Sequence, residues 1–233
     1  TPEEKSTAKA AIDKKAEEAK KSIDGINDTD GKDDIESIRN EINEQKNSAV
    51  NSFDKQQSKS AEQDLSNAKD TAKADIDKKA EETKTAIDAM PKLTDKEKEA
   101  AKAKIDEAVK TAKAEIDKVT DPKLKDNVDT KLDEQLENLD KIELDAADND
   151  IDNIKAAAKS NVDSRADEAI KAIDKLPDLT AEQKKAAKDA VEAKAKEAKT
   201  AIDGLKASEG ADIFVTKKEI ENQKNSATDL FDQ

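Results

Sequence analysis

The residues with chemistry to offer are almost all carboxylates and lysines. The stretch NDTDGKDD at 27–34 gathers four Asp around Gly31, the composition of a calcium-binding loop. A twelve-residue calcium loop with Gly31 at its sixth position needs oxygen ligands at its first and last positions. Those positions are Ile26 and Ser37, so the stretch reads instead as a polar turn followed by an Asp33–Glu36 capping box. The chain has no His and no Cys, which removes the usual nucleophile–base pairs and most transition-metal sites. No catalytic, cofactor-binding or metal-ligating residue is expected, and no cofactor. Residues 121–152 hold 12 acids against 4 Lys, a stretch that could draw a basic partner but reads more simply as a solvated face. The repeated polar motif QKNSA at 45–49 and 223–227 could be a contact site. Its neighbours Ala49 and Phe53, and Ala227 and Phe231, have the i, i+4 spacing of packed residues on one helix face, so packing is the expected role. Phe214 and Val215 form the compact apolar pair of the C-terminal region and are expected at the seam of a helix start.

The elements that would carry these residues follow from repetition. AKADIDKKAEETKTAID at 72–88 echoes AKAAIDKKAEEAKKSID at 8–24. PKLTDKEKEAA at 91–101 returns as PDLTAEQKKAA at 177–187, a shift of about 86 positions. EINEQKNSAVNSFD at 41–54 returns as EIENQKNSATDLFD at 219–232. Thr1 falls in register with Thr94 and Thr180, so the chain opens partway through a repeat, and TPEEK reads as the start of an internal helix of a longer protein.

Within each repeat the apolar period is helical. Ile76, Ala80, Thr83, Ile87 and Met90 step by four and three, as do Ala101, Ile105, Ala108, Ala112, Ile116 and Val119. Leu132, Leu136, Leu139 and Ile142 continue the pattern. That is a narrow seam, about two positions in seven, of the kind that slender bundles and coiled coils bury. Thr94–Glu97, Thr180–Gln183 and Thr1–Glu4 are capping boxes, Pro91 and Pro177 end the preceding helices, and Pro122 opens another. Gly25, Gly31, Gly204 and Gly210 bracket the remaining turns. Short helices are expected at about 2–25, 94–119 and 180–204, and long ones at about 33–90 and 123–176. The seam is weakest at 53–63 and, in the second long helix, at DAADND, 145–150. Continuity is expected through both, because no breaker is present.

The expected fold is all-α: tandem spectrin-like three-helix bundles joined by long continuous helices into an elongated, monomeric rod well over about 80 Å long at 1.5 Å per residue. The expected units are a partial repeat at 1–56 holding second and third helices, a three-helix repeat at 57–146, and another at 147–233. The acidic residues Asp88, Asp174 and Asp203 stand near helix C-termini, where a negative charge is disfavoured. Lys on neighbouring helices would have to offset them.

Charge and hydropathy narrow the function. A net charge of −14 repels nucleic acid and anionic membranes, so neither is an expected partner. No apolar run approaches the roughly 20 residues that span a bilayer.

The brick AKADIDKKAEETKTAID, followed by PKLTDKEKEAA and a second helix ending in Ile–Asp, resembles the helical repeats of unknown function in Gram-positive cell-wall-anchored surface proteins, matrix-binding and biofilm-associated adhesins among them. The resemblance is strongest over 65–119 and 151–205, holds at 1–26, and weakens over 120–150. It implies an extracellular, cell-wall-anchored stalk, with host matrix or serum proteins as partners of the full-length protein. The albumin-binding three-helix modules of similar proteins are shorter and are expected to use aromatics that this chain lacks. The function expected is therefore a non-enzymatic spacer that projects a distal binding region from the cell wall. The rivals are repeats that bind a host serum or matrix protein directly, and a disordered stress protectant rich in Ala, Lys and Glu.

Overall fold

The computed structural model describes residues 1–26, 35–205 and 213–231. Among them the chain is wholly helical, with no strand. Six α-helices follow in order: α1 Pro2–Asp24, α2 Ile35–Asp88, α3 Asp95–Asp117, α4 Asp126–Asp174, α5 Ala181–Gly204 and α6 Ile213–Phe231. A 3-10 turn, Pro122–Leu124, precedes α4.

Helix limits sit where the caps place them. The Thr1 and Thr180 hydroxyls accept from the amides of Glu4 and Gln183, whose side chains reach back to the cap residues. The same box forms at Thr94: its hydroxyl accepts from the Glu97 amide at 3.3 Å, and its own amide donates to Glu97 Oε2 at 2.8 Å. Both long helices are unbroken, α2 over 54 residues and α4 over 49, so the weak seams at 53–63 and 145–150 do not interrupt them. Pro122 opens the 3-10 turn rather than an α-helix, capped by Asp121, whose Oδ1 accepts from the Lys123 amide at 2.9 Å. Gly25 ends α1 with φ −81°, a right-handed value open to any residue, and Gly204 is the last residue of α5 with open space where a Cβ would stand. Neither supplies the left-handed cap that its place in the sequence suggests. The turn at 27–34, with its Asp33–Glu36 box, and Gly210 lie outside the described residues.

The chain divides into two compact units. The first comprises Thr1–Ile76 and Thr111–Glu134. Its buried apolar residues are Leu65, Ala72 and Ile76 on α2, Ala112 and Ile116 on α3, Val119 beyond it, and Val128 on α4. Polar ties add to this core. Lys125 meets Asp64 at 2.9 Å, Lys131 meets Glu115 at 3.2 Å, and Asn67 donates to Glu4 at 2.9 Å.

The second unit comprises Asp77–Lys110 and Gln135–Gln233. One part buries Ala80, Thr83 and Ile87 of α2, Met90 and Leu93 of the following turn, Ile105 of α3, and Leu139, Ala146 and Ala147 of α4. A further cluster joins Ile151, Ala158, Val162 and Ala166 of α4, Ala195, Ala198 and Ile202 of α5, and Ile220 and Ala227 of α6, with Phe231 packed against it. The seam read from the sequence is thus the buried face. Ala227 and Phe231 pack as their spacing predicts, which makes the second QKNSA a structural motif. Val215 departs from expectation: it is 60% exposed, while Thr216 beside it is buried. The α6 seam runs through Thr216, Ile220 and Ala227, and Val215 lies one position off that stripe. The side chain of Phe214 lies outside the described residues.

Candidate functional site: interhelical clamps and a buried junction carboxylate

The Asp residues at the helix ends are where the chain concentrates its cross-helix polar bonds. A carboxylate at a helix C-terminus faces the negative pole of the macrodipole and carbonyls that have no intrahelical partner. At the end of α2 both problems meet one answer. Lys102 of α3 donates to Asp88 Oδ1 at 2.8 Å, and Lys98 donates to the Asp88 carbonyl at 2.7 Å. The end of α4 repeats the arrangement: Lys188 of α5 donates to Asp174 Oδ1 at 2.8 Å and Lys184 to the Asp174 carbonyl at 2.9 Å. In both clamps the lysines follow the Asp by 10 and 14 positions.

A second clamp closes the other end of each helix pair. Lys73 of α2 donates to Asp117 Oδ1 at 2.6 Å and Lys69 to the Asp117 carbonyl at 3.1 Å. Lys159 of α4 donates to Asp203 Oδ1 at 2.5 Å, with the same separation of 44 positions. A lysine therefore answers every one of the three Asp residues whose place the sequence left unexplained. The clamps are half-exposed, so each contributes at most about 1 kcal/mol. Their effect is register: a chain with few large side chains in its seam is held in one alignment by pairs that fit at one spacing.

Elsewhere on the surface, neighbouring ammonium groups perturb the carboxylates in the same direction. Hydrogen bonds from Lys118 and then Lys131 hold Glu115 below its ordinary range, and the Thr94 amide and hydroxyl do the same for Glu97. Lys84 is pushed up by hydrogen bonds to Asp106 and then Glu81.

One carboxylate differs from all these. Asp150, in the middle of α4, is 0% exposed. Its Oδ1 accepts from the Lys92 amide at 2.6 Å, in the turn between α2 and α3. Lys217 of α6 brings its ammonium to 2.6 Å from Oδ2. That approach is an ion pair without hydrogen-bond alignment, since Oδ2 has no hydrogen-bond partner among the described residues. Asn153, one turn on, donates to the Lys92 carbonyl at 3.0 Å and lies 3.3 Å from Glu97 Oε2. The stretch DAADND, where the seam fades, is thus a junction: α4, the 89–94 turn and the start of α6 meet on Asp150. Its apolar residues Ala146 and Ala147 are both buried.

Chemistry beyond structure is sparse. No group of three or more metal-ligating side chains occurs among the described residues, and no described helix is long and apolar enough to cross a membrane. A cleft of about 320 Å³ lies between α1 and α2 in the first unit, lined by Ile12, Phe53 and the lysines Lys14, Lys15, Lys55 and Lys59 among others.

The helix pairs closed by these clamps overlap two known families. The Domain of Unknown Function (DUF1542) family matches residues 68–153, from just before Lys69 to the junction at Asp150 and Asn153. The GA module matches residues 159–196, from Lys159 through the α4–α5 turn into α5. Residues 68–153 and 159–196 thus match families found in Gram-positive surface proteins. Both families occur in such proteins, adhesins among them, in agreement with the resemblance carried by the brick at 72–88. One of the shorter three-helix modules, set apart above for want of aromatics, thus finds a family match over the α4–α5 pair. No curated protein and no solved structure matches the chain significantly. Within the DUF1542 match lie one clamp at each end of the α2–α3 pair and the Asp150–Lys92 bond, while Lys217 stands beyond it.

Proposed function

We propose that this chain is a non-enzymatic stalk segment of a Gram-positive cell-wall-anchored surface protein, built to hold a distal binding region away from the wall. The observation that carries the proposal is the recurrence of one clamp, Asp88 with Lys98 and Lys102, as Asp174 with Lys184 and Lys188. A ligand site needs a particular surface in one place, whereas a spacer needs the same mechanical joint over and over. In this reading the chain comprises a partial repeat at 1–56 and spectrin-like three-helix repeats at 57–146 and 147–233. Each long helix closes one repeat and opens the next, and the assembly is an extended rod. Bending at a junction would require α4 to break within its helix, which costs its hydrogen bonds and the seating of Asp150.

The GA module match favours a second reading, since GA modules bind serum albumin in some proteins. Among the described large apolar residues of 159–196, Leu176 is the exposed one, at 47%, a small anchor for such an interface. The experiment that separates the two readings displays an adhesive reporter on cells with and without this chain beneath it. A spacer raises capture of the reporter by a bulky immobilised ligand, while the soluble chain leaves capture unchanged. If the soluble chain blocks attachment, or titration with serum albumin gives a micromolar or tighter complex, the repeats themselves are the binding element and the spacer proposal fails.

A further inference from the structure

The helix α1 is built like α3 but lacks the company that α3 keeps. Both have 23 residues and a Thr–Glu capping box. From Thr1 against Thr94 they run in register, with Lys5 against Lys98, Lys9 against Lys102, Ile12 against Ile105, Asp13 against Asp106, Ile23 against Ile116 and Asp24 against Asp117. In α3 the apolar members are closed off: Ile105 and Ile116 are 0% exposed. In α1 no residue is buried, and Ile12 is 36% exposed.

The charged members tell the same story independently. Each of the four in α3 is met by α2. Lys98 and Lys102 hold Asp88, Asp106 pairs with Lys84 at 2.8 Å, and Asp117 takes Lys69 and Lys73. Their counterparts Lys5, Lys9, Asp13 and Asp24 enter no ion pair or side-chain hydrogen bond among the described residues.

We infer that the open face of α1 and the N-terminal part of α2 is the seat for the first helix of another repeat, of the Leu65–Met90 type. It would join α1 through a turn like 89–94. The four charges dictate what that helix must carry: an Asp at its C-terminus for Lys5 and Lys9, a lysine one turn earlier for Asp13, and a lysine near its start for Asp24. The segment 65–90 carries this set as Asp88, Lys84 and Lys73, with the apolar seam Ala72, Ile76, Ala80 and Ile87 between them. The inference rests on the three-helix repeat reading above.

The test extends the full chain by a copy of residues 64–93 placed directly ahead of Thr1, and follows amide hydrogen exchange along α1. The expected result is that α1 exchange slows at least tenfold, to the level of α3, while the extended chain keeps the mass of a monomer. A control extension with its four seam residues changed to Ser should give no protection. Ile12→Asp should be silent in the original chain and abolish the protection in the extended one, and Lys9→Glu should weaken that protection several-fold. Unchanged α1 exchange, equal protection by the Ser-substituted control, or a dimer formed by exchange of the added helix between copies would overturn the inference. Ile105→Asp in the same extended chain distinguishes the two levels. If it deprotects α3 while α1 remains open, this inference alone falls; if it is silent, the three-helix reading falls with it.

Discussion

The Asp150 junction gives the sharpest energetic prediction. The carboxylate is fully buried, and two different groups depend on it: the Lys92 amide on Oδ1 and the Lys217 ammonium near Oδ2, each at 2.6 Å. Asp150→Ala removes a charge-assisted hydrogen bond, worth about 1.5–3 kcal/mol, and leaves the Lys92 amide without its acceptor. The Lys217 side chain is 25% exposed, so its ammonium can turn to water and adds little to the loss. The expected cost is about 3 kcal/mol. Asp150→Asn keeps an acceptor for the amide and loses only the ion pair, so about 1 kcal/mol is expected. Lys217→Met is the harsher single change on the other side, about 3 kcal/mol, because it strands a buried carboxylate. In the double variant Asp150→Asn with Lys217→Met the stranded charge is gone, so the costs should be well short of additive. The chain has no Trp and no Tyr, so unfolding in urea is followed by the helical circular dichroism signal rather than by fluorescence. An Asp150→Ala cost below about 0.5 kcal/mol, or additive costs in the double variant, would refute the junction as described.

Four further outcomes follow from the same structure. Ile105→Asp places a charge at a site that is 0% exposed and should cost about 4 kcal/mol or more, whereas Lys104→Asp on the exposed face should change stability by under about 0.5 kcal/mol; equal urea midpoints would contradict the seam. Asp88→Asn and Asp174→Asn should each cost about 0.2–1 kcal/mol at low salt and less at 1 M salt, measured by thermal melts in both. The carboxyls of Asp64, Glu97 and Glu115 are held below their ordinary values, so they contribute stability above an unfolded pKa of about 4 that is lost as pH falls through the folded values. The ammonium groups of Lys79 and Lys84 are raised, so their contribution is complete below about pH 10 and lost only as pH rises through the folded values; with no His, melting temperature should be flat from about pH 5.5 to 9.

The limits of five of the six helices and the buried stripes were legible in the sequence because each is a local property. Capping boxes act over three residues and the seam over four. The partners of Asp88, Asp117 and Asp203 were not legible, because the lysines stand 14 or 44 positions away and their meeting depends on how helices lie side by side. Asp150 was hidden in a stretch that reads as a weak seam. A signal existed: Asp64 and Asp150 occupy the same place before Leu65 and Ile151 in successive repeats. Yet Asp64 is exposed, and bonded to Lys125, while Asp150 is buried, so the pattern alone would not have told them apart. The error at Val215 has a plainer cause. Hydrophobicity outranks Thr in any count of apolar residues, but the stripe through Ile220 and Ala227 puts Thr216 inside.

The central claim, that these repeats form an extended spacer, is tested most directly by small-angle X-ray scattering of the chain in dilute buffer. A rod well over about 80 Å long has a radius of gyration above about 25 Å and a scattering curve with a rod-like region giving the cross-section of a few helices. A radius near 17 Å, the value for about this many residues folded as a globule, would contradict the account.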